Sequence, residues 1–385
     1  MSKTNNQAAI VGIGQTEFSK NSGRSEQQLA AEAVIAACKD AGINPEDIDG
    51  CITYTIDNSD EVDLLRSVGC KELNYTVRLP QGGAANASTL HHAKNAVESG
   101  MCDVMVIWRA MNERSQYRFG QPTVSISPDA NGSTFIEWCF PFGAQTPASW
   151  EVLSCGQYLN EYGVTSEDLG NLAVLMRKHA ATNPNAWFYK QPITLEDHQN
   201  SRWIVKPWLR LLDCCQESDG GVAIIVTRMD KAKDLKQIPA RLLAAQYSFL
   251  FNHEIISDFY EGDMTRLAFS ERVTEKLIND CGIAPKDTDV AMIYDNFTPQ
   301  VLRQLEGFGY CGLGEAKDYI ADGNMELDGK TPLSPNGGLI GEAYIHGMNN
   351  ITEAVRQIRG TAANQVQNVE TAFVASGVAG AILGK

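Results

Sequence analysis

Apolar and polar positions along the first hundred residues switch between two periods. Ala8 to Ile13 is a short apolar run of strand character, and from Gln27 to Cys38 the apolar residues fall at helical spacing: Leu29, Ala30, Ala33, Val34, Ala37. Asp49–Tyr54 and Leu73–Leu79 read as strands, Ala84–Ser99 as a helix, and Val104–Trp108 as a further apolar strand. Strands alternating with helices predict an α/β sheet protein. Gly12-Ile13-Gly14 after the first strand hints at a dinucleotide loop, but Glu17 stands where a third glycine belongs, so that signal fails.

From about Asn112 to Ser218 the alternation breaks. Aromatic, Pro and Asn residues become more frequent, and helical spacing survives around Glu151–Tyr162 and Glu167–His179. This stretch is expected to form a cap inserted in the first half. Strand character resumes at Val222–Thr227, Lys231–Lys236 reads as a charged linker, and a second half starts at Arg241. The expected division is therefore 1–240, with its cap at about 112–218, and 241–385.

The second half repeats part of the first. AGINPEDIDGCITY (Ala41–Tyr54) and CGIAPKDTDVAMIY (Cys281–Tyr294) align at a constant offset of 240. The alignment pairs Gly42 with Gly282, Ile43 with Ile283, Pro45 with Pro285, Asp47 with Asp287, Asp49 with Asp289 and Tyr54 with Tyr294. Each copy follows a helix and leads into a strand, and a weaker echo pairs the helix ending at Gly100 with the one ending at Gly360. Two related halves, each unable to bury its sheet face alone, are expected to pack together.

Composition narrows the function classes. The 385 residues suffice for a substantial core, and a net charge of −15 argues against a broad nucleic-acid surface, which needs clustered cations. Met1–Gln7 is polar and no long apolar run follows, which speaks against a secretory leader. The longest apolar stretch, Ala372–Gly384, is too short to span a bilayer, so a cytoplasmic protein is expected. Ten cysteines without a C-x-x-C pair, Cys214 and Cys215 being adjacent, point to reduced thiols. No HExxH or spaced ligand set appears, so neither metal nor cofactor is expected.

Candidate chemistry concentrates at Ser334–Gly347, SPNGGLIGEAYIHG. Gly337 and Gly338 favour a tight turn, and Tyr344 and His346 precede the helical pattern of Met348, Ile351, Ala354, Val355 and Ile358. Two groups able to move protons thus stand where a loop feeds a helix N-terminus, whose N–H groups favour developing negative charge.

The repeat, with an insert in the first half, resembles the thiolase superfamily. SGMCDVMVIWRAMNERS (Ser99–Ser115) looks like the thiolase strand after the nucleophile helix. Tyr162-Gly163, Asn183-Pro184 and Asp219-Gly220-Gly221 resemble the cap and its exit. NGGLIGEAYIHG (Asn336–Gly347) resembles NxxGGxIxxGHPxG, and IYDNF (Ile293–Phe297) falls where thiolases carry NEAF and the sterol-carrier type HDCF. The resemblance implies a layered α-β-α-β-α fold with two related halves. A thiolase, however, needs a cysteine at the N-terminus of the first-half helix to take the acyl group, and here that place reads Gln81-Gly82-Gly83-Ala84-Ala85-Asn86. The second thiolase cysteine is missing too, at Val374-Ala375-Ser376-Gly377.

With tyrosine in place of cysteine, the chain looks like the lipid-transfer-protein-type aldolases of bacterial steroid side-chain degradation. That resemblance implies retro-aldol cleavage of a β-hydroxyacyl-CoA, a 17-hydroxy steroid with a three-carbon acyl-CoA side chain, to a 17-ketosteroid and propionyl-CoA. It also implies a small OB-fold partner protein and a homodimer core within a hetero-oligomer. Tyr294 is the expected general base, Tyr344 the acid and His346 the donor to the enolate oxygen. Gly83, Asn296, Gly338 and Gly377 are expected at the substrate. An ordinary tyrosine has a pKa of about 10, so holding one ionised at pH 7 costs roughly 4 kcal/mol. The site must lower that pKa or move the proton in concert with bond cleavage. Trp187, Trp203 and Trp208, with Arg202 and Lys206, are candidates for lining a CoA or steroid groove. The rivals are an acyl transfer through an unrecognised nucleophile and an acyl-CoA- or lipid-binding protein without chemistry.

Overall fold

The computed structural model describes residues 7–54, 57–80, 82–116, 118–121, 139–250 and 262–385. In chain order the strands are β1 (Ala8–Gln15), β2 (Gly50–Tyr54), β3 (Tyr75–Leu79), β4 (Val104–Asn112), β5 (Trp203–Val205), β6 (Leu209–Arg210), β7 (Asp219–Arg228), β8 (Ala240–Tyr247), β9 (Val290–Ile293), β10 (Thr371–Ala375) and β11 (Ala379–Gly384). β5 and β6 pair only with each other; the rest form one sheet ordered β3-β2-β4-β7-β1-β8-β11-β10-β9. Its two halves match. In the first, β2 runs parallel to β3 and β4, then β7 and β1 follow antiparallel. In the second, β9 runs parallel to β10, then β11 and β8 follow antiparallel. β1 and β8 join the halves through two residue pairs, Ala9 with Arg241 and Ile10 with Ala240.

Among the described residues the helices of eight or more residues are α1 (Glu26–Ala41), α2 (Glu61–Val68), α3 (Asn86–Ser99), α4 (Pro147–Glu161), α5 (Ser166–Thr182), α6 (Ala268–Cys281), α7 (Thr298–Gly307) and α8 (Met348–Arg359). Alternating strand residues separate three layers of core. On one face Ile107, Ile224, Met292, Val374 and Ala381 bury α3 and α8, which touch strands of both halves. On the other face Val106 and Ile225 pack on α1, while Phe373 and Ile382 pack on α4 to α7. The result is the expected α-β-α-β-α layering with a cap from the first half. α8 is buried on almost every side, including Asn349, Asn350, Thr352 and Glu353.

Gly12 and Gly14, the failed dinucleotide signal, lie within β1 where α1 comes closest. A Cβ on Gly12 would stand 2.3 Å from the Ala37 carbonyl oxygen, and one on Gly14 2.2 Å from that of Ala33. The repeat has a physical meaning as well. Gly42 and Gly282 end α1 and α6 at the same left-handed φ of 78°, and each is followed by a single 3-10 turn, Pro45–Asp47 and Pro285–Asp287. Asp49 then accepts the N–H groups of Asp103 and Val104, and Asp289 those of Glu370 and Thr371. Each aspartate thereby pins the first residues of the neighbouring parallel strand. α4 begins at Pro147, ahead of the expected Glu151, because Thr146 and Ser149 cap it reciprocally with proline at its start. All ten cysteines are free. Among the described residues no helix is long and apolar enough to cross a membrane, and no three metal-ligating side chains gather.

Candidate active site

β9 ends at Ile293, so Tyr294 leaves the sheet directly after it. Its N–H still donates to the Ala375 carbonyl (3.1 Å), and the side chain of Gln304 on α7 donates to the Tyr294 carbonyl (2.8 Å). Tyr344 sits in the loop before α8. The backbone of that loop is held by Asp295: Leu339 and Ile340 donate their N–H groups to its carboxylate at 2.8 and 3.0 Å. Asn183, Asn336 and Asn349 all donate to buried Glu342 behind the same turn. Ser218 Oγ accepts the N–H of Tyr344 at 3.2 Å.

These two anchors bring the phenols together. The hydroxyls of Tyr294 and Tyr344 are 3.0 Å apart and hydrogen-bonded, and both rings line a cavity of about 750 Å³. That volume is in the range of small-molecule sites. Burial pushes both phenols well above the ordinary tyrosine pKa; the Tyr344 hydrogen bond opposes the shift for Tyr294. Of the two routes expected, this environment favours proton transfer in concert with bond cleavage over a lowered pKa.

His346 lines the same cavity in the left-handed region, φ 48°. Tyr54 donates its hydroxyl to the His346 carbonyl (2.9 Å), and Asn86 donates to that of Gly347 (3.1 Å). Arg109 Nε donates to His346 Nδ1 (3.0 Å). Arginine only donates, so Nδ1 is the acceptor and the neutral ring carries its proton on Nε2. Burial, then the Arg109 charge, keeps the ring neutral by holding its pKa well below the usual value. Arg109 is buried in β4 and ion-pairs with buried Asp57 (3.0 Å).

Gly83 lines the cavity at the start of the helical turn leading into α3. A Cβ there would stand 1.7 Å from the Tyr294 hydroxyl oxygen. Any side chain at 83 would thus occupy the space that the phenol fills. Gly377 (φ 74°) and Asn296 also line the cavity, and Asn296 Oδ1 is buried without a hydrogen-bond partner. Gly338 does not line it. Its missing side chain leaves room for Asp295 Oδ2, which would be 2.3 Å from a Cβ, so this glycine serves the loop rather than the substrate. Gln81 lies outside the described residues.

Of the cap residues proposed for the groove, Arg202 lines the cavity, and Trp187, Trp203, Trp208 and Lys206 do not. Trp203 stacks under Arg210 (3.9 Å) and Trp187 lies under Lys20 (5.1 Å). Trp150 lines the cavity instead. Cys214 and Cys215 do as well, but burial raises both thiols far from the thiolate form that attacks a thioester. Sequence reading passed over Arg109, Asp57, Glu113 and Lys20. The available signal was a set of charges, Arg109 and Glu113, continuing an apolar strand otherwise fit for a core.

A profile of thiolase C-terminal domain-like sequences matches residues 252–383. A steroid side-chain-cleaving aldolase of Thermomonospora curvata is 50% identical over 382 residues, 98% of this chain and 97% of its own length. A 17-hydroxy-3-oxo-4-pregnene-20-carboxyl-CoA lyase of Mycobacterium tuberculosis is 48% identical, over 98% of this chain and 99% of its own. A solved Ltp2–ChsH2(DUF35) aldolase superposes with a TM-score of 0.93 at 48% identity, covering 100% of this chain and 99% of that one.

Proposed function

The chain belongs to the thiolase-like family of steroid side-chain-cleaving aldolases, and on that premise we propose how its cavity performs the cleavage. It is a carbon–carbon lyase acting on a 17-hydroxy steroid that bears a three-carbon acyl-CoA side chain. The products are a 17-ketosteroid and propionyl-CoA. The single observation that carries the mechanism is the hydrogen-bonded phenol pair at the cavity wall.

Retro-aldol cleavage moves one proton from the β-hydroxyl to the α-carbon, and the net charge does not change. Two neutral phenols in contact suit that transfer. Tyr294 takes the hydroxyl proton as its own proton passes to Tyr344, which in the same step releases its own proton toward the α-carbon. The Cα–Cβ electrons move into the thioester as an enolate, and the β-oxygen becomes the ketone. The proton that leaves Tyr344 ends on the α-carbon as the enolate collapses. Neither phenol has to stay ionised, in accord with the raised pKa of both. His346 Nε2–H is the donor for the enolate oxygen, with the backbone N–H groups of Gly83 and Gly377 beside it. Asn296 contacts the substrate through its unpartnered oxygen. The reaction requires neither metal nor cofactor, because the thioester itself holds the electron pair.

We read the working assembly as a homodimer of this chain with a small OB-fold partner, in the cytoplasm. The structural relative solved as an Ltp2–ChsH2(DUF35) pair supports a small partner. Acyl transfer through a cysteine is the weaker reading, since both cavity thiols are held protonated.

The test is turnover of the β-hydroxyacyl-CoA by chain and partner together, with ketone and propionyl-CoA quantified. Tyr294→Phe keeps the ring and removes the proton path. It should lower kcat by at least about 100-fold with an unchanged circular dichroism spectrum. Near-normal turnover in that variant excludes the phenol relay.

A further inference from the structure

Among the titratable groups that line the cavity and that the relay leaves unused is Glu113. Glu113 follows β4 directly, is 3% exposed and lines the cavity that Tyr294, Tyr344 and His346 line. Its Oε2 is buried and has no hydrogen-bond partner. A buried, unpartnered carboxyl oxygen is a costly thing to leave in a core, unless something else comes to meet it.

The groups that act on it are Glu217, a backbone hydrogen bond from Ser218, Lys20 and Arg109. Lys20 gives two of its protons to Gln216 Oε1 (2.7 Å) and the Glu217 carbonyl (2.5 Å). Glu217 accepts from Arg118 Nε (2.7 Å) and the Gly120 N–H. Burial, then repulsion by Glu217, keeps Glu113 protonated well above the usual carboxylate range. Burial lowers Lys20 in turn to about 8, and its charge offsets only part of the upward shift of Glu113. On the cavity side, Glu113 acts electrostatically on Tyr294, Tyr344 and Cys215, and an ionised Glu113 would oppose charge on each of them.

We infer that Glu113 is a further catalytic residue of this site: a neutral carboxylic acid that donates a hydrogen bond to an oxygen of the reacting β-hydroxy thioester. Donation from a neutral acid polarises the oxygen without adding an anion beside the phenol pair. The inference rests on the proposed cleavage and deepens it by adding a donor that works only while protonated. It therefore gives the enzyme an alkaline limit set by a carboxyl rather than by a phenol.

Wild-type, Glu113→Gln and Glu113→Ala chains are each assayed with the partner on the β-hydroxyacyl-CoA across pH 6 to 9.5. If the wild type yields no ketone, the cleavage reading itself fails, whatever the variants do. If it does, the expected result is that Glu113→Gln, a neutral donor of the same shape, stays within about fivefold of wild type in kcat and loses the alkaline limb. Glu113→Ala is expected to fall by at least about 30-fold, a donor loss of the usual size for such groups. The inference is overturned if Glu113→Ala turns over like wild type, if Glu113→Gln is as impaired as Glu113→Ala, or if the alkaline limb survives in Glu113→Gln. The last readout stands even where the alanine variant does not fold.

Discussion

Tyr54 and Tyr294 occupy the same place in the repeat and do opposite things. Tyr54 is fully buried and gives its hydroxyl to the His346 carbonyl; Tyr294 turns its hydroxyl to the cavity and to Tyr344. The difference originates across the cavity, at Gly83, where the absence of a side chain leaves room for the Tyr294 phenol. Gly83→Ala should therefore displace that ring. A shift of about 1 Å is enough to reduce turnover by roughly 100-fold while the melting temperature changes little, since the site borders an open cavity. Turnover of Gly83→Ala measured beside its thermal melt checks this; an active alanine variant would show that the phenol tolerates another position. Tyr294, Tyr344 and His346 were legible in the sequence because they belong to two contiguous motifs. Arg109, which fixes the His346 tautomer, was not, because its partner lies 237 residues away and nothing in chain order marks a strand arginine as buried.

At the scale of elements, the loop from Ser334 to Gly347 is held by groups that look incidental in sequence. Asp295 accepts two N–H groups of this loop. Asp295→Asn replaces one acceptor oxygen with an amine facing those donors. The expected loss is about 2 kcal/mol of stability, the usual result of stranding a buried donor. Tyr344 is carried by the same loop, so kcat should fall as well. Equilibrium urea unfolding and a turnover assay on one preparation test both; unchanged stability would remove Asp295 from this role. Strand and helix periodicity showed most elements of the first half and the two long cap helices to within a few residues, but missed α2 (Glu61–Val68). It did not expose Gly338 as part of the loop's support, because a glycine at a turn reads the same whether it faces a ligand or a carboxylate.

Across the whole molecule, the repeat foreshadowed two halves with matching strand order, down to the paired aspartates at 49 and 289. Their joining into a single sheet through β1 and β8 was not visible, since two residue pairs leave no periodic trace. The interior of the assembled halves is rich in carboxyls. Burial raises Asp295 and Glu353 to about 7, and it raises Glu26, Glu113, Glu306 and Glu342 as well. An acid with a raised folded pKa binds its proton more tightly when folded. The stability it contributes is complete below the unfolded value of about 4 and is lost as pH rises through the folded value. The protein is thus expected to unfold at lower urea concentration at pH 7.5 than at pH 5.5, the six acids outweighing His92, His179 and His346, whose lowered values act in the opposite sense over the same range. A midpoint that increases with pH would contradict the protonated state of these groups.

A side chain at 83 and the ring at 294 exclude each other in space. For any ancestor that carried a nucleophile at 83, the path to the present protein was consequently ordered: the earlier group had to vanish before the newcomer was admitted.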